Sequence, residues 1–164
     1  DKPNDKQNIC WDWLPKDWAD VPEFYDMDKW TDVEAFAKGG VRAAYDRVCN
    51  GLDELLARHG YERNGKYYHA VKANHDTICL VCHFGLESVL LSHLLNIPTM
   101  LLWHGTCAAP TSVTTVVTEE RRKGIASFRV TAFGDISHLY AANQPPAFAA
   151  RFCETFANTD QRHD

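Results

Sequence analysis

Thr77-Ile78-Cys79-Leu80-Val81-Cys82-His83-Phe84-Gly85 is the stretch on which the fold turns. An apolar run, rich in β-branched and small residues, stops at a histidine and a glycine. An amphipathic helical pattern then begins at Leu86. This sequence predicts a buried central strand over Thr77–Cys82, a tight turn, and a helix whose N-terminus faces back to the turn. Open α/β sheets place ligands outside the carboxyl ends of their strands. Free backbone N–H groups and the helix dipole favour an anion there. A histidine in that position can hold or protonate a phosphate.

Upstream, residues 33–59 carry the clearest helical pattern. Val41, Tyr45, Val48, Leu52, Leu55, Leu56 and His59 keep an apolar rhythm of about 3.6 residues, with Gly39-Gly40 as an interruption near its start. Gly60 is placed as its C′ stop. Arg58-His59-Gly60 therefore reads as a helix end, although an Arg-His-Gly triplet after a strand would suggest a nucleophilic histidine. Asn64-Gly65 reads as a tight turn and Lys66–Val71 as a strand, followed by a polar turn over Ala73–Asp76. Downstream, Leu86–Asn96 reads as a helix ended by Ile97-Pro98, and Thr99–Trp103 as a short helix or strand. Ser112–Thr118 and Ala126–Phe133 read as an antiparallel hairpin around the charged turn Glu119–Gly124, and Phe148–Phe156 as a terminal helix.

Residues 1–32 are read as irregular, with Pro3, Pro15 and Pro22 breaking any helix. Trp11, Trp13, Trp18 and Trp30 crowd this segment, which is taken as a surface excursion held down by aromatics. Loops that long usually cap a site. The opening Asp1–Asn8 is not a signal peptide and reads as the middle of a loop.

The chain has 164 residues, enough for one domain with a real core. A net charge of −5 gives no electrostatic case for nucleic acid or an anionic membrane. No apolar run approaches the roughly 18 residues of a membrane-spanning helix. The six cysteines read as small core hydrophobes in a reduced, cytoplasmic chain: Cys49 in a helix, Cys79 and Cys82 in the buried strand, Cys153 in the terminal helix. Cys79-Leu-Val-Cys82-His83 matches the pattern of covalent haem attachment. Within a strand, however, residues three apart face opposite sides, whereas two thioethers to one haem need both sulfurs together. Zinc would need four clustered ligands, and no second close cysteine pair accompanies this one.

Two further segments complete the picture. Ala108–Val116 reads Ala-Ala-Pro-Thr-Ser-Val-Thr-Thr-Val, and Phe133–Tyr140 reads Phe-Gly-Asp-Ile-Ser-His-Leu-Tyr. Together with the long helix ending at Gly60-Tyr61 and the strand ending at His83, these resemble the histidine phosphatase superfamily, the phosphoglycerate-mutase-like proteins, from about Val33 to Tyr140. The resemblance implies a three-layer α/β/α sandwich with a mostly parallel central sheet. It places His83 in the phosphate pocket, beside the histidine that becomes phosphorylated. Phe84 departs from the glycine often found there. Its amide can still bind phosphate, as can that of Gly85, but its side chain would narrow the pocket. Thr106 and Thr111 fall near the pocket rim. His104 is a candidate to face the pocket, and His138 is better placed for a structural role. Residues 1–32, with Trp11 and Trp13, would cap the substrate, and residues 33–164 would form the C-terminal part of one domain.

The nucleophilic histidine of the family belongs to an Arg-His-Gly motif on a first strand, and no such strand is legible here. A pocket arginine and a proton donor are missing as well. Asp12, Glu23 and Asp26 are the acidic candidates within the excursion. The expectation is the C-terminal portion of a longer phosphatase-like protein. It would lean on its missing N-terminal segment or on a second copy of the chain, because a central strand apolar on both faces needs neighbours. The implied activity is hydrolysis of a small-molecule phosphomonoester through a phosphohistidine, with no metal or cofactor. A mutase-type phosphotransferase and a non-catalytic, ligand-binding relative are the alternatives.

Overall fold

A computed structural model describes residues 9–163, so the loop reading of Asp1–Asn8 lies outside the described residues. The chain is mixed α/β. Short helix α1 (Pro15–Trp18) and a 3-10 turn (Pro22–Tyr25) precede α2 (Glu34–Lys38) and α3 (Val41–Arg58). Hairpin β1–β2 follows (Tyr61–Asn64, Tyr67–Ala70), then α4 (Phe84–Leu95) and α5 (Thr99–Gly105). Hairpin β3–β4 (Val113–Arg122, Ile125–Asp135) and α6 (Ser137–Ala141) complete the order.

The local rules account for most boundaries. Pro15 and Pro22 open helical turns instead of breaking them, because a first-turn residue needs no N–H partner. The Gly39-Gly40 interruption separates α2 from α3, with Gly40 at φ 68°. Gly60 takes φ 87° just beyond α3, and a side chain there would strike the Lys72 carbonyl at 2.5 Å. That close approach ties the end of α3 to the turn after β2. Asn96 stops α4 in the left-handed conformation at φ 56°.

The sheet is four-stranded in the order β1-β2-β4-β3, and every pairing is antiparallel. The expected mostly parallel sheet is thus corrected. Its two hairpins turn at Gly65 and Gly124, both at positive φ, and tight turns of this kind join only antiparallel neighbours. Thr77–Cys82, the strand that would have been central, forms no strand and no helix. No backbone hydrogen bond joins it to another strand among the described residues. Val81 is 97% exposed and Leu80 50% exposed, and Cys79 and Cys82 are exposed rather than buried. Only Ile78 packs inward, against the sheet cluster. The apolar run favours an extended chain, but a strand is buried only where neighbours supply both edges and both faces.

Two clusters form the core. The larger joins Phe24, Trp30, Phe36, Tyr45, Cys49, Met100 and Trp103. Phe24 and Trp30 are fully buried, so the Trp-rich segment contributes to the core itself. The smaller cluster seats Leu52 and Leu56 of α3 on Tyr61, Tyr68 and Ala126 of the sheet, with Leu90 and Leu94 of α4 alongside. The opposite face carries exposed Glu62, His69, Ser127 and Arg129. Residues 148–156 form no helix, so Cys153 lies in irregular chain. Phe156 is 91% exposed there, and the segment is instead turned by the Arg151–Glu154 pair and by stacking of Arg162 on Phe152. Among the described residues, no helix is long and apolar enough to cross a membrane.

Candidate functional site

His83 is where irregular chain becomes a helix. It is the N-cap of α4, with φ −96° and ψ 156°, and its carbonyl accepts from the amides of Leu86 and Glu87, both at 3.0 Å. The imidazole is exposed. The first-turn amides of Phe84 and Gly85 have no backbone partner among the described residues, as helix geometry dictates. One exposed ring therefore sits with the positive end of a 12-residue helix.

The turn is fixed by aromatic contacts from two directions. Trp103 of α5 donates its indole N–H to the Gly85 carbonyl at 3.1 Å. Trp11 lies directly on Gly85, where a Cβ would approach its ring to 2.8 Å. The two indoles stand 5.9 Å apart. Trp11 thus covers the start of α4 while remaining exposed on its outer side. Trp13 has a different setting, packed edge-on against Phe24 and Phe36 within the larger cluster. The Phe84 ring packs against that same cluster.

The remaining candidates lie apart. Thr106 caps α5, and its hydroxyl donates to the Leu102 carbonyl at 2.7 Å. Thr111 has φ 69°, a strained setting for a β-branched residue, and its hydroxyl lies 3.4 Å from Nε2 of His138. That contact links the start of β3 to α6 after β4. No hydrogen bond or ion pair joins Thr106, Thr111 or His138 to His83 among the described residues. His104 stacks on Trp18 at 4.8 Å and donates from Nδ1 to the Met100 carbonyl at 3.0 Å. Burial lowers its pKa, opposed by that hydrogen bond and by the charge of Asp12.

Two of the acidic candidates, Asp12 and Asp26, are engaged elsewhere. Asp12 pairs with Arg162 at 3.3 Å. The backbone N–H of Asp28 holds the Asp26 carboxyl below its ordinary pKa, with Lys29 adding to the effect, whereas a proton donor needs the opposite shift. Arg58 and His59 do end α3, and His59 Nδ1 meets Asp76 at 2.7 Å. Among the described residues, no group of three or more histidine, cysteine or acidic side chains is placed to hold a metal.

Leu80–Cys82, just before His83, form one wall of a groove of about 370 Å³ that Arg47 of α3 also lines. Leu80, Val81 and Cys82 face Val48 and Leu55 of α3 and Leu86 of α4 across it. A second feature was not legible from spacing. Asp53 accepts from the Tyr68 hydroxyl at 2.7 Å and binds Nε2 of His93 through both oxygens at 2.9 Å. Arg63 then donates to Tyr68 and to the His93 carbonyl, both at 3.0 Å. The only sequence signal was a polar residue, Asp53, amid the apolar rhythm of α3. Neither Asp53 nor His93 lines the groove, and the network serves as a latch between α3, α4 and the first hairpin. No family model matches this chain, and comparison with curated proteins and with solved structures likewise finds no match.

Proposed function

We propose that this chain is part of a phosphomonoesterase of the histidine phosphatase type, in which His83 is the second pocket histidine. The observation that carries the reading is the exposed imidazole at the N-cap of α4, at the end of an apolar run. Imidazole, first-turn amides and helix dipole together suit the equatorial oxygens of a phosphoryl group. In the proposed reaction a second imidazole, carried by a segment outside the described residues, attacks phosphorus. The P–O bond to the organic group breaks, and an acid protonates the leaving oxygen. Water then attacks the phosphohistidine, releasing phosphate and restoring the nucleophile. The finer three-layer architecture belongs to the same proposal, with Thr77–Cys82 becoming internal once a neighbouring strand is present. Six free cysteines accord with a reducing, cytoplasmic setting.

A non-catalytic, phosphate-binding relative is the second reading. It is favoured by the helix-capping setting of Arg58-His59-Gly60, which leaves no strand-borne Arg-His-Gly among the described residues. Turnover of 4-nitrophenyl phosphate by the full-length protein separates the two. The phosphatase reading expects His83→Ala to lower kcat/KM by about 10²–10³-fold, the usual effect of losing one oxyanion-stabilising group. An unchanged rate in that variant removes His83 from the mechanism. Phosphate binding without turnover establishes the binding module.

A further inference from the structure

A thiol becomes a nucleophile when a base stands beside it. In the irregular chain that follows α6, Sγ of Cys153 lies 3.4 Å from Nδ1 of His163. The other ring nitrogen, Nε2, lies 2.6 Å from the Asn158 carbonyl. A carbonyl only accepts, so Nε2 carries a hydrogen and donates it there. In the neutral ring, Nδ1 therefore turns its lone pair to the thiol, which donates to it. Nucleophile, base and a group that fixes the tautomer of the base stand in sequence, which is the arrangement that activates a thiol.

The chain between the two residues holds them in place. The backbone N–H of Cys153 donates to the Arg162 carbonyl at 2.9 Å, closing the loop. Asn158 sits in a turn, its N–H donating to the Thr155 carbonyl at 3.1 Å and its Oδ1 accepting from the Asp160 N–H at 2.9 Å. Phe156 meets the imidazole edge-on at 5.6 Å. The Arg162 guanidinium stacks on Phe152 at 4.2 Å and pairs with Asp12 at 3.3 Å, which ties the loop to the N-terminal segment.

The exposed thiols elsewhere are set differently. Sγ of Cys107 donates to the Ala150 carbonyl at 3.2 Å, an acceptor that takes up no proton. Burial pushes the Cys82 thiol up, and the charge of Glu87 adds to this. Cys79, Cys82 and Cys107 are exposed, whereas Cys153 is half-buried. Exposure alone ranks Cys153 behind those three, and a base at Nδ1 ranks it ahead of them.

We propose that Cys153 and His163 form a thiol–imidazole dyad that is a site of reversible modification by small-molecule disulfides. The sulfur of Cys153 attacks one sulfur of the disulfide, and a new S–S bond forms as the old one breaks. Nδ1 of His163 takes the thiol proton and passes it to the departing sulfur, which leaves as a free thiol. Cys153 is thereby oxidised to a mixed disulfide and half of the small disulfide is reduced. Attack by a second small thiol reverses the step. The dyad goes beyond the phosphatase reading and does not rest on it.

The full chain, with its cysteines reduced, is exposed to oxidised glutathione at neutral pH, and the mixed disulfide at each cysteine is followed by peptide mass spectrometry. Cys153 is expected to react about 10-fold faster than Cys79, because an unassisted thiol is only a few per cent thiolate near neutrality. His163→Gln keeps a polar side chain but removes the base. It should bring Cys153 down to about the rate of Cys79 and leave Cys79 and Cys107 unchanged, with circular dichroism confirming the fold. In concentrated urea the advantage of Cys153 should vanish from the unsubstituted chain. A native Cys153 no faster than Cys79 overturns the proposal. So does an advantage that survives His163→Gln or persists in urea.

Discussion

At residue scale, Gly85 shows how a single missing side chain shapes the candidate site. Trp11 rests where its Cβ would be. Gly85→Ala is expected to dislodge the Trp11 indole at a cost of about 1–2 kcal/mol, in the lower range for overpacking because the ring can swing out. Red-shifted tryptophan emission with a small fall in denaturation midpoint would check this. Asp53 sets an acid response. Burial opposes its charge, but hydrogen bonds from His93 and Tyr68 and the charges of His93 and Arg63 outweigh burial, so its pKa is lowered. A carboxyl with a lowered folded pKa contributes stability fully present above its unfolded pKa, about 3.9, and lost as pH falls through the folded value. His104 adds a second acid-sensitive contribution. Its pKa is lowered by burial, so stability falls once pH drops below about 6.5, where the unfolded ring takes up a proton. Asp53→Asn should lower stability near neutral pH and flatten the decline below about pH 4, measured by urea unfolding across pH. A parallel downward shift of the whole curve would deny the Asp53 linkage. His83 was legible at this scale because a histidine ending an apolar run is conspicuous. Asp53 and His93 were not, because they are partners of each other and of Tyr68 at positions distant in sequence.

At the scale of elements, the sequence reading worked where one element satisfies its own requirements. The amphipathic stripe of α3, the Asn64-Gly65 turn and the Ser112–Phe133 hairpin carry their own pattern and turn chemistry, and all appear in the fold. Thr77–Cys82 went differently because propensity favours a strand but does not supply a neighbour to pair with. Phe148–Phe156 has helical apolar spacing, but no core face receives it, and arginine stacking on Phe148 and Phe152 holds it instead. The second hairpin offers a sharp test. Gly124 takes φ 78°, and a Cβ there would meet the His69 ring at 2.9 Å. His69 also donates from Nδ1 to the Gly124 carbonyl at 2.8 Å, bridging β2 to the turn. Gly124→Ala is expected to cost about 1–3 kcal/mol from strain at positive φ plus displacement of His69. Chemical denaturation would show it, and a neutral effect would mean that the turn relaxes freely.

At the scale of the molecule, an aromatic cluster and a sheet-bound cluster share α3 and α4. Trp30 is the hub of the first, meeting Phe36, Tyr45 and Trp103 edge-on at 5.9, 5.1 and 5.8 Å. Trp30→Ala should cost about 3–5 kcal/mol, a large part of the roughly 5–15 kcal/mol that a domain holds in reserve. Loss of the near-ultraviolet circular dichroism of the cluster would register it. The alternation of aromatics and acids in residues 9–32 hid this contribution, since no helical or strand period announces a core built from turns. The mixed α/β class and both hairpin turns were legible, whereas the mostly parallel sheet followed from the family resemblance, and its expected central strand, Thr77–Cys82, pairs with no other strand among the described residues. The central claim is that His83 offers its ring to a phosphoryl oxyanion. Imidazole NMR of the full-length protein during titration with orthovanadate, a phosphoryl mimic, tests it most directly. The account predicts that the His83 ring resonances move on binding, while those of His104 and His59 stay unchanged. Saturable vanadate binding that leaves His83 unmoved would contradict it.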